Sequence, residues 1–141
     1  MVSIVKRIKV RDVLTRPVHA IDPSVSLLDA AARMAEQQTD SFIVSPLEKD
    51  EPFGIITQRD IVDRFADEID IAKVTVGEVA SKPLFIVSPG MPILHAAKLF
   101  KKGGVHNLAV FNGHEILGII SYGDVVKSLP SLIEQIRSEF A

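Results

Sequence analysis

The chain has 141 residues, 47% hydrophobic and 24% charged, and no cysteine. That length allows one compact unit or two small repeats, and the absence of cysteine excludes disulfides, Cys-based zinc or iron–sulfur sites and thiolate nucleophiles. Sixteen Lys and Arg against eighteen Asp and Glu leave a net charge of −2, so the chain is not a globally basic nucleic-acid binder. The N-terminus, Met1–Arg7, lacks the apolar core of a signal peptide. The longest stretch free of Asp, Glu, Lys and Arg, Pro83–Ala97, carries Pro83, Pro89 and Pro92 and is too short to cross a bilayer. These features predict a soluble, cytoplasmic protein with no membrane partner.

In chain order, Lys6, Arg7, Lys9 and Arg11 surround Ile8 and Val10, which reads as a solvated strand face with the two apolar residues turned inward. A strand over Val18–Ile21 ends at the turn Asp22-Pro23. Ser26 then caps an amphipathic helix whose stripe is Leu27, Ala30, Ala31 and Met34, with Asp29 three residues after the cap. Strands follow at Phe42–Ser45 and Phe53–Ile56, around a charged loop Pro46–Pro52, and a helix starts after Thr57. A linker near Asp67–Val74 leads to a strand at Leu84–Val87, the turn Ser88-Pro89, and a helix with Ile93, Ala96, Ala97 and Phe100 on one face. Gly103-Gly104 ends that helix. Strands Leu108–Phe111 and Ile116–Ile120 flank the hairpin signal Asn112-Gly113. One helix begins after Ser121, and a last amphipathic helix is expected near Ser131–Phe140.

This order is a duplication. Val10, Val13, Pro17, Pro23, Leu28, Ala30, Ala31 and Val44 recur 66 residues later at Val76, Val79, Pro83, Pro89, Leu94, Ala96, Ala97 and Val110. Gly54-Ile55-Ile56-Thr57 and Asp60 then recur 64 residues later as Gly118-Ile119-Ile120-Ser121 and Asp124. The expected fold is α/β (α+β): two β-α-β-β-α repeats, 1–70 and 71–141, packed with pseudo-two-fold symmetry into one module. The second half also carries the C-terminal helix. Each repeat is marginal alone.

The sharpest chemical feature is the doubled Gly-Ile-Ile-[Thr/Ser]-x-x-Asp. An apolar strand ends on a hydroxyl residue that starts a helix. One reading is a capping box, Thr57 with Asp60 and Ser121 with Asp124. The other is a ligand site: a helix start suits a phosphate, the hydroxyl adds a donor, and the Asp accepts from ribose hydroxyls. Arg59 adds positive charge near such a phosphate. Matched occurrence in both repeats favours the ligand reading.

The doubled unit, the ends Gly-Ile-Ile-Thr-Gln-Arg-Asp and Gly-Ile-Ile-Ser-Tyr-Gly-Asp, and the starts Thr-Arg-Pro-Val and Ser-Lys-Pro-Leu resemble a tandem pair of CBS domains, a Bateman module, over about residues 8 to 128. The resemblance implies a regulatory module that binds AMP, ADP, ATP or S-adenosylmethionine in the clefts between its repeats, with no reaction of its own and no required cofactor. It places Thr57 with Asp60, and Ser121 with Asp124, on phosphate and ribose. It places Val18, His19 and Ala20, and Leu84, Phe85 and Ile86, around adenine. It sets Asp40-Ser41 and His106-Asn107 near the phosphates. Ile43 and Ala109 stand where the family often has proline, and Leu14 and Ala80 where it often has methionine. Apolar helix stripes and the resemblance together predict a homodimer, with a protein partner of unknown identity. His19, His95, His106 and His114 lack metal-binding spacing, and no P-loop, nucleophile elbow or GxGxxG occurs. Two further classes remain: a nucleic-acid-associated regulator using the basic N-terminal strand, and a small enzyme, against which the lack of an activated constellation counts.

Overall fold

The computed structural model describes residues 7–14, 17, 19–48 and 50–139. Lys6 of the basic run, Thr15, Arg16 and Val18 of the first motif, and Phe140 lie outside these residues, as does the side chain of Ile136.

The elements in chain order are α1 (Val10–Val13), β1 (Ala20–Ile21), α2 (Leu27–Gln37), β2 (Ser41–Val44), β3 (Gly54–Thr57), α3 (Gln58–Ala66), α4 (Val76–Val79), β4 (Ile86–Val87), α5 (Ile93–Gly103), β5 (Asn107–Phe111), β6 (Ile116–Ser121) and α6 (Tyr122–Glu139). They form two three-stranded sheets, β1-β2-β3 and β4-β5-β6. In each, the first strand runs parallel to the middle one and the third antiparallel. The helix between the first two strands supplies the crossover that a parallel pair requires. The fold is therefore α/β with two β-α-β-β-α repeats.

The compact units do not follow the repeat boundaries expected at residue 70. One unit is Val18–Leu84, and the other takes in chain on both sides of it. The cause is an exchange of the short helices that open each repeat. Val76 of α4 is fully buried with Ile21, Leu27, Ala30, Met34, Phe42, Val44, Ile56 and Ile61. Val10 and Val13 of α1 are buried with Val87, Ile93, Ala96, Phe100, Leu108, Val110 and Ile120. The docking bonds match. Val76 N–H donates to Val25 C=O at 2.8 Å and Gly77 N–H to Pro23 C=O at 2.9 Å. In the other unit Val10 N–H donates to Met91 C=O at 2.8 Å and Arg11 N–H to Pro89 C=O at 3.0 Å.

Two local expectations are corrected. Ile8 and Val10 are buried as read, but Val10 and Arg11 are helical, because the Pro89–Met91 turn takes their N–H groups. Asn112-Gly113 opens the four-residue connection between β5 and β6, at the place the hairpin signal indicated. Asn112 Oδ1 accepts from the N–H groups of His114 and Glu115, at 2.8 and 2.9 Å, and Gly113 takes φ 99°. The last helix is not separate: α6 runs unbroken through Pro130. Proline removes one backbone bond there, but Leu129, Leu132 and Ile133 pack against the buried cluster on the next turns and hold the helix in line.

Candidate functional site

Each sheet has one end where four pieces of chain meet: the start of the first strand, the start of the middle strand, the end of the third strand and the start of the next helix. Strand pairing fixes this. In the Val18–Leu84 unit Ser41 lies opposite Thr57, Ile43 opposite Ile55, and Ala20 beside Ile43. In the other unit Asn107 lies opposite Ser121, Ala109 opposite Ile119, and Ile86 beside Ala109. Residues directly opposite share a face of the sheet. Ala20, Ser41 and Thr57 thus share one face, as do Ile86, Asn107 and Ser121.

His19 and Phe85 precede those first strands, and their carbonyls accept from Ile43 and Ala109 N–H, both at 2.9 Å. Strand alternation turns them to the opposite face, and the His19 ring meets Phe42 edge-on at 6.3 Å. Leu84 belongs with the first unit, where its N–H donates to Phe53 C=O at 2.8 Å. Each unit therefore collects the predicted set only in part: His19, Ala20, Ser41, Thr57, Arg59 and Asp60 in one, and Phe85, Ile86, His106, Asn107, Ser121 and Asp124 in the other.

The hydroxyl–acid pairs form capping boxes. Thr57 N–H and Oγ1–H both donate to Asp60 Oδ2, at 2.8 and 3.0 Å, and Asp60 N–H returns to Thr57 Oγ1 at 3.4 Å. Ser121 and Asp124 repeat this at 2.9, 3.0 and 3.4 Å. The cap and a ligand role are compatible, because the cap uses one carboxylate oxygen. Among the described residues, Oδ1 of Asp60 accepts nothing.

Ser41 is the one buried polar residue among the described residues, at 7% exposure. Its carbonyl accepts from Thr39 Oγ1 at 3.1 Å, yet its own hydroxyl has no partner among them. A buried hydroxyl left unpaired costs about 1–3 kcal/mol. It sits on the Thr57 face at the helix start. In the sequence Ser41 stands out only through the family resemblance, because burial at a strand start leaves no trace in composition.

Sequence reading also passed over Tyr122. Its ring lies 4.8 Å from Phe100 and 5.6 Å from His106, and its hydroxyl donates to Phe100 C=O at 3.1 Å. This ties the start of α6 to the end of α5. Elsewhere, a cleft of about 410 Å³ lined by Pro23, Leu47, Glu51, Thr75 and Lys82 opens at the other end of the first sheet, away from Thr57. No group of three or more His, Asp or Glu among the described residues is placed to hold a metal ion. No described helix is long and apolar enough to cross a membrane.

Comparison with known families matches two copies of the CBS domain, at residues 10–67 and 76–131. The chain belongs to the CBS-domain family. It is similar in structure to the hexameric CBS-CP12 protein from bloom-forming cyanobacteria, at 31% identity and TM-score 0.78, over 84% of this chain and 69% of that one. Two CBS pairs share its fold at lower identity. One is PAE2072 from Pyrobaculum aerophilum, complexed with AMP: 16% identity, TM-score 0.74, 93% of this chain and 99% of that one. The other is the CBS domain pair of protein MJ0100, in complex with 5′-methylthioadenosine and S-adenosyl-L-methionine: 20% identity, TM-score 0.72, 87% of this chain and 96% of that one.

Proposed function

We propose that this CBS pair is a cytoplasmic regulatory module that binds an adenosyl ligand (AMP, ADP, ATP or S-adenosylmethionine) at the Thr57–Asp60 and Ser121–Asp124 ends and catalyses no reaction. The observation that carries the reading is the buried, unpartnered hydroxyl of Ser41 beside Thr57. It faces the helix start where Asp60 keeps one carboxylate oxygen open to a ribose diol. The AMP and S-adenosylmethionine complexes of PAE2072 and MJ0100 support the ligand class. Ligand favours one arrangement of the chain over another, and a partner protein reads the difference.

The reading includes self-association. Val62 and Phe65 on α3 stand 60% and 68% exposed, and Val126, at the matched position on α6, 65%. Exposed apolar residues a turn apart suit a helix-to-helix contact between copies of a homodimer. The CBS-CP12 neighbour, which is hexameric, supports an assembling surface.

Mass spectrometry of small molecules released from purified protein, followed by calorimetric titration, tests the ligand. Binding raises the melting temperature by mass action. Chromatography after long incubation separates module from enzyme: nucleotide recovered unchanged supports the module, and a product whose formation a Thr57→Ala change abolishes overturns it. Salt-dependent gel shifts with RNA and DNA test the nucleic-acid alternative. Light scattering that gives only monomer at all concentrations overturns the dimer.

A further inference from the structure

The two units carry the same pair of helices with opposite charge. In the Val18–Leu84 unit α2 packs against α3, and in the other α5 packs against α6. Each pair presents exposed apolar residues: Val62 and Phe65 on α3, and Leu99 on α5 with Val126 on α6. The charges around them differ. Asp63 and Lys127 stand at matched positions, each directly after the matched valine, and Glu36 is matched by Lys102. Apart from the capping acid Asp60, residues 27–37 and 58–73 hold six acids and four bases. Apart from the capping acid Asp124, residues 93–103 and 122–133 hold four lysines and no acid. Asp63, Asp67, Glu68, Lys98, Lys102 and Lys127 are all exposed. Among the described residues none of their side chains has a hydrogen-bond or ion-pair partner.

Asp67 is the C-cap of α3, and Glu68 follows it. Carboxylates there meet the negative end of the helix dipole, which favours a cation brought from outside. The lysine face supplies cations. Against the same face of another copy it is repelled, and against the acidic face it is attracted. We infer that self-association pairs unlike units: Val62 and Phe65 of one copy dock beside Leu99 and Val126 of a second, with Asp63, Asp67 and Glu68 meeting Lys98, Lys102 and Lys127. A two-fold dimer makes this contact twice. The inference rests on the self-association reading and adds to it which surfaces meet and what selects them.

Sedimentation equilibrium of the full chain and its charge variants tests this, with circular dichroism to confirm that each variant folds. Asp63→Lys combined with Asp67→Lys should weaken association by about tenfold or more, as should Lys102→Glu combined with Lys127→Glu. One chain carrying all four changes should associate again. Added salt should weaken wild-type association, whereas pairing of like units would be strengthened by it. Should a variant misfold, the salt series still decides. Association that ignores both pairs of changes, that rises with salt, or that the folded four-change chain fails to recover overturns the assignment and leaves self-association standing. Lysine changes that abolish an RNA gel shift but leave association intact give the basic face to nucleic acid and overturn it too. Wild type that stays monomeric at every concentration overturns the self-association reading itself.

Discussion

Ser41 and Asp22 occupy opposite ends of the first sheet and show how single polar groups divide between binding and folding. Ser41 Oγ is buried without a partner, so in the unliganded chain it opposes folding. Ser41→Ala should raise unfolding stability by about 1 kcal/mol, since an unmet group is removed. The same change should weaken adenosyl binding roughly three- to tenfold, the worth of one hydrogen bond. Thermal melts and titration calorimetry on one preparation give both signs. A loss of stability with unchanged affinity would mean that Ser41 is only a core residue. Asp22 works the other way. Its Oδ1 accepts from Ser24 N–H at 2.8 Å and Ser24 Oγ at 2.6 Å, closing the turn after β1. Those bonds hold its carboxyl below the ordinary value, the side-chain bond contributing most. A depressed folded pKa stabilises the native state above the unfolded value, about 3.9, and that contribution is lost as pH falls through the folded one. Asp22→Ala should therefore lower the melting midpoint at pH 6, and the difference from wild type should shrink as pH falls below the ordinary carboxylate range. A pH-independent difference would assign the effect to something other than this charge.

At the level of elements, the short helix α4 is set by one contact. A methyl group on Gly77 would lie 2.9 Å from Pro23 Cβ and 3.1 Å from Pro23 O, closer than packed atoms allow, and one neighbour is backbone. Gly77→Ala should cost about 1–3 kcal/mol by pushing Val76 outward, measured by denaturant unfolding. An unchanged midpoint would show that α4 docks loosely. Neither α1 nor α4 was legible beforehand. Val10 and Val13 aligned with Val76 and Val79, but a one-turn helix carries too few residues for a 3.6 periodicity to show. The longer elements were legible. The stripe Leu27, Ala30 and Met34 and the Ser26 cap appear as read, with Asp29 N–H donating to Ser26 Oγ at 3.1 Å. Gly104 ends α5 at φ 63°, as the paired glycines indicated. The doubled hydroxyl–acid motif was legible as a cap and as a ligand site because both need the same strand-to-helix geometry. What sequence withheld was face: alternation sets Ala20 and Ile86 with the hydroxyls and turns His19 and Phe85 away, which only strand register reveals.

Across the whole molecule, the exchange of short helices makes the covalent repeat and the folding unit different stretches of chain. A fragment cut at the repeat boundary, 1–70, keeps Val10 and Val13, whose buried neighbours it lacks, and loses Val76, which its own core needs. It also forfeits the backbone bonds Leu27 N–H to Val74 C=O, Val76 N–H to Val25 C=O and Gly77 N–H to Pro23 C=O. Burying one valine is worth about 1.5–3 kcal/mol, and each such bond about 1 kcal/mol net. A unit of this size has a total stability of only a few kcal/mol, at about 0.1 kcal/mol per residue. The losses are as large as the whole. Fragment 1–70 should show no cooperative thermal transition by circular dichroism. Fragment 18–84, which contains every residue of its buried cluster, should show one, with a sigmoidal loss of ellipticity. The comparison removes fragment length as an explanation, because the fragment expected to fold is the shorter. Equal melting of the two would mean that α4 contributes little, and that the repeat, not the exchanged unit, is what folds.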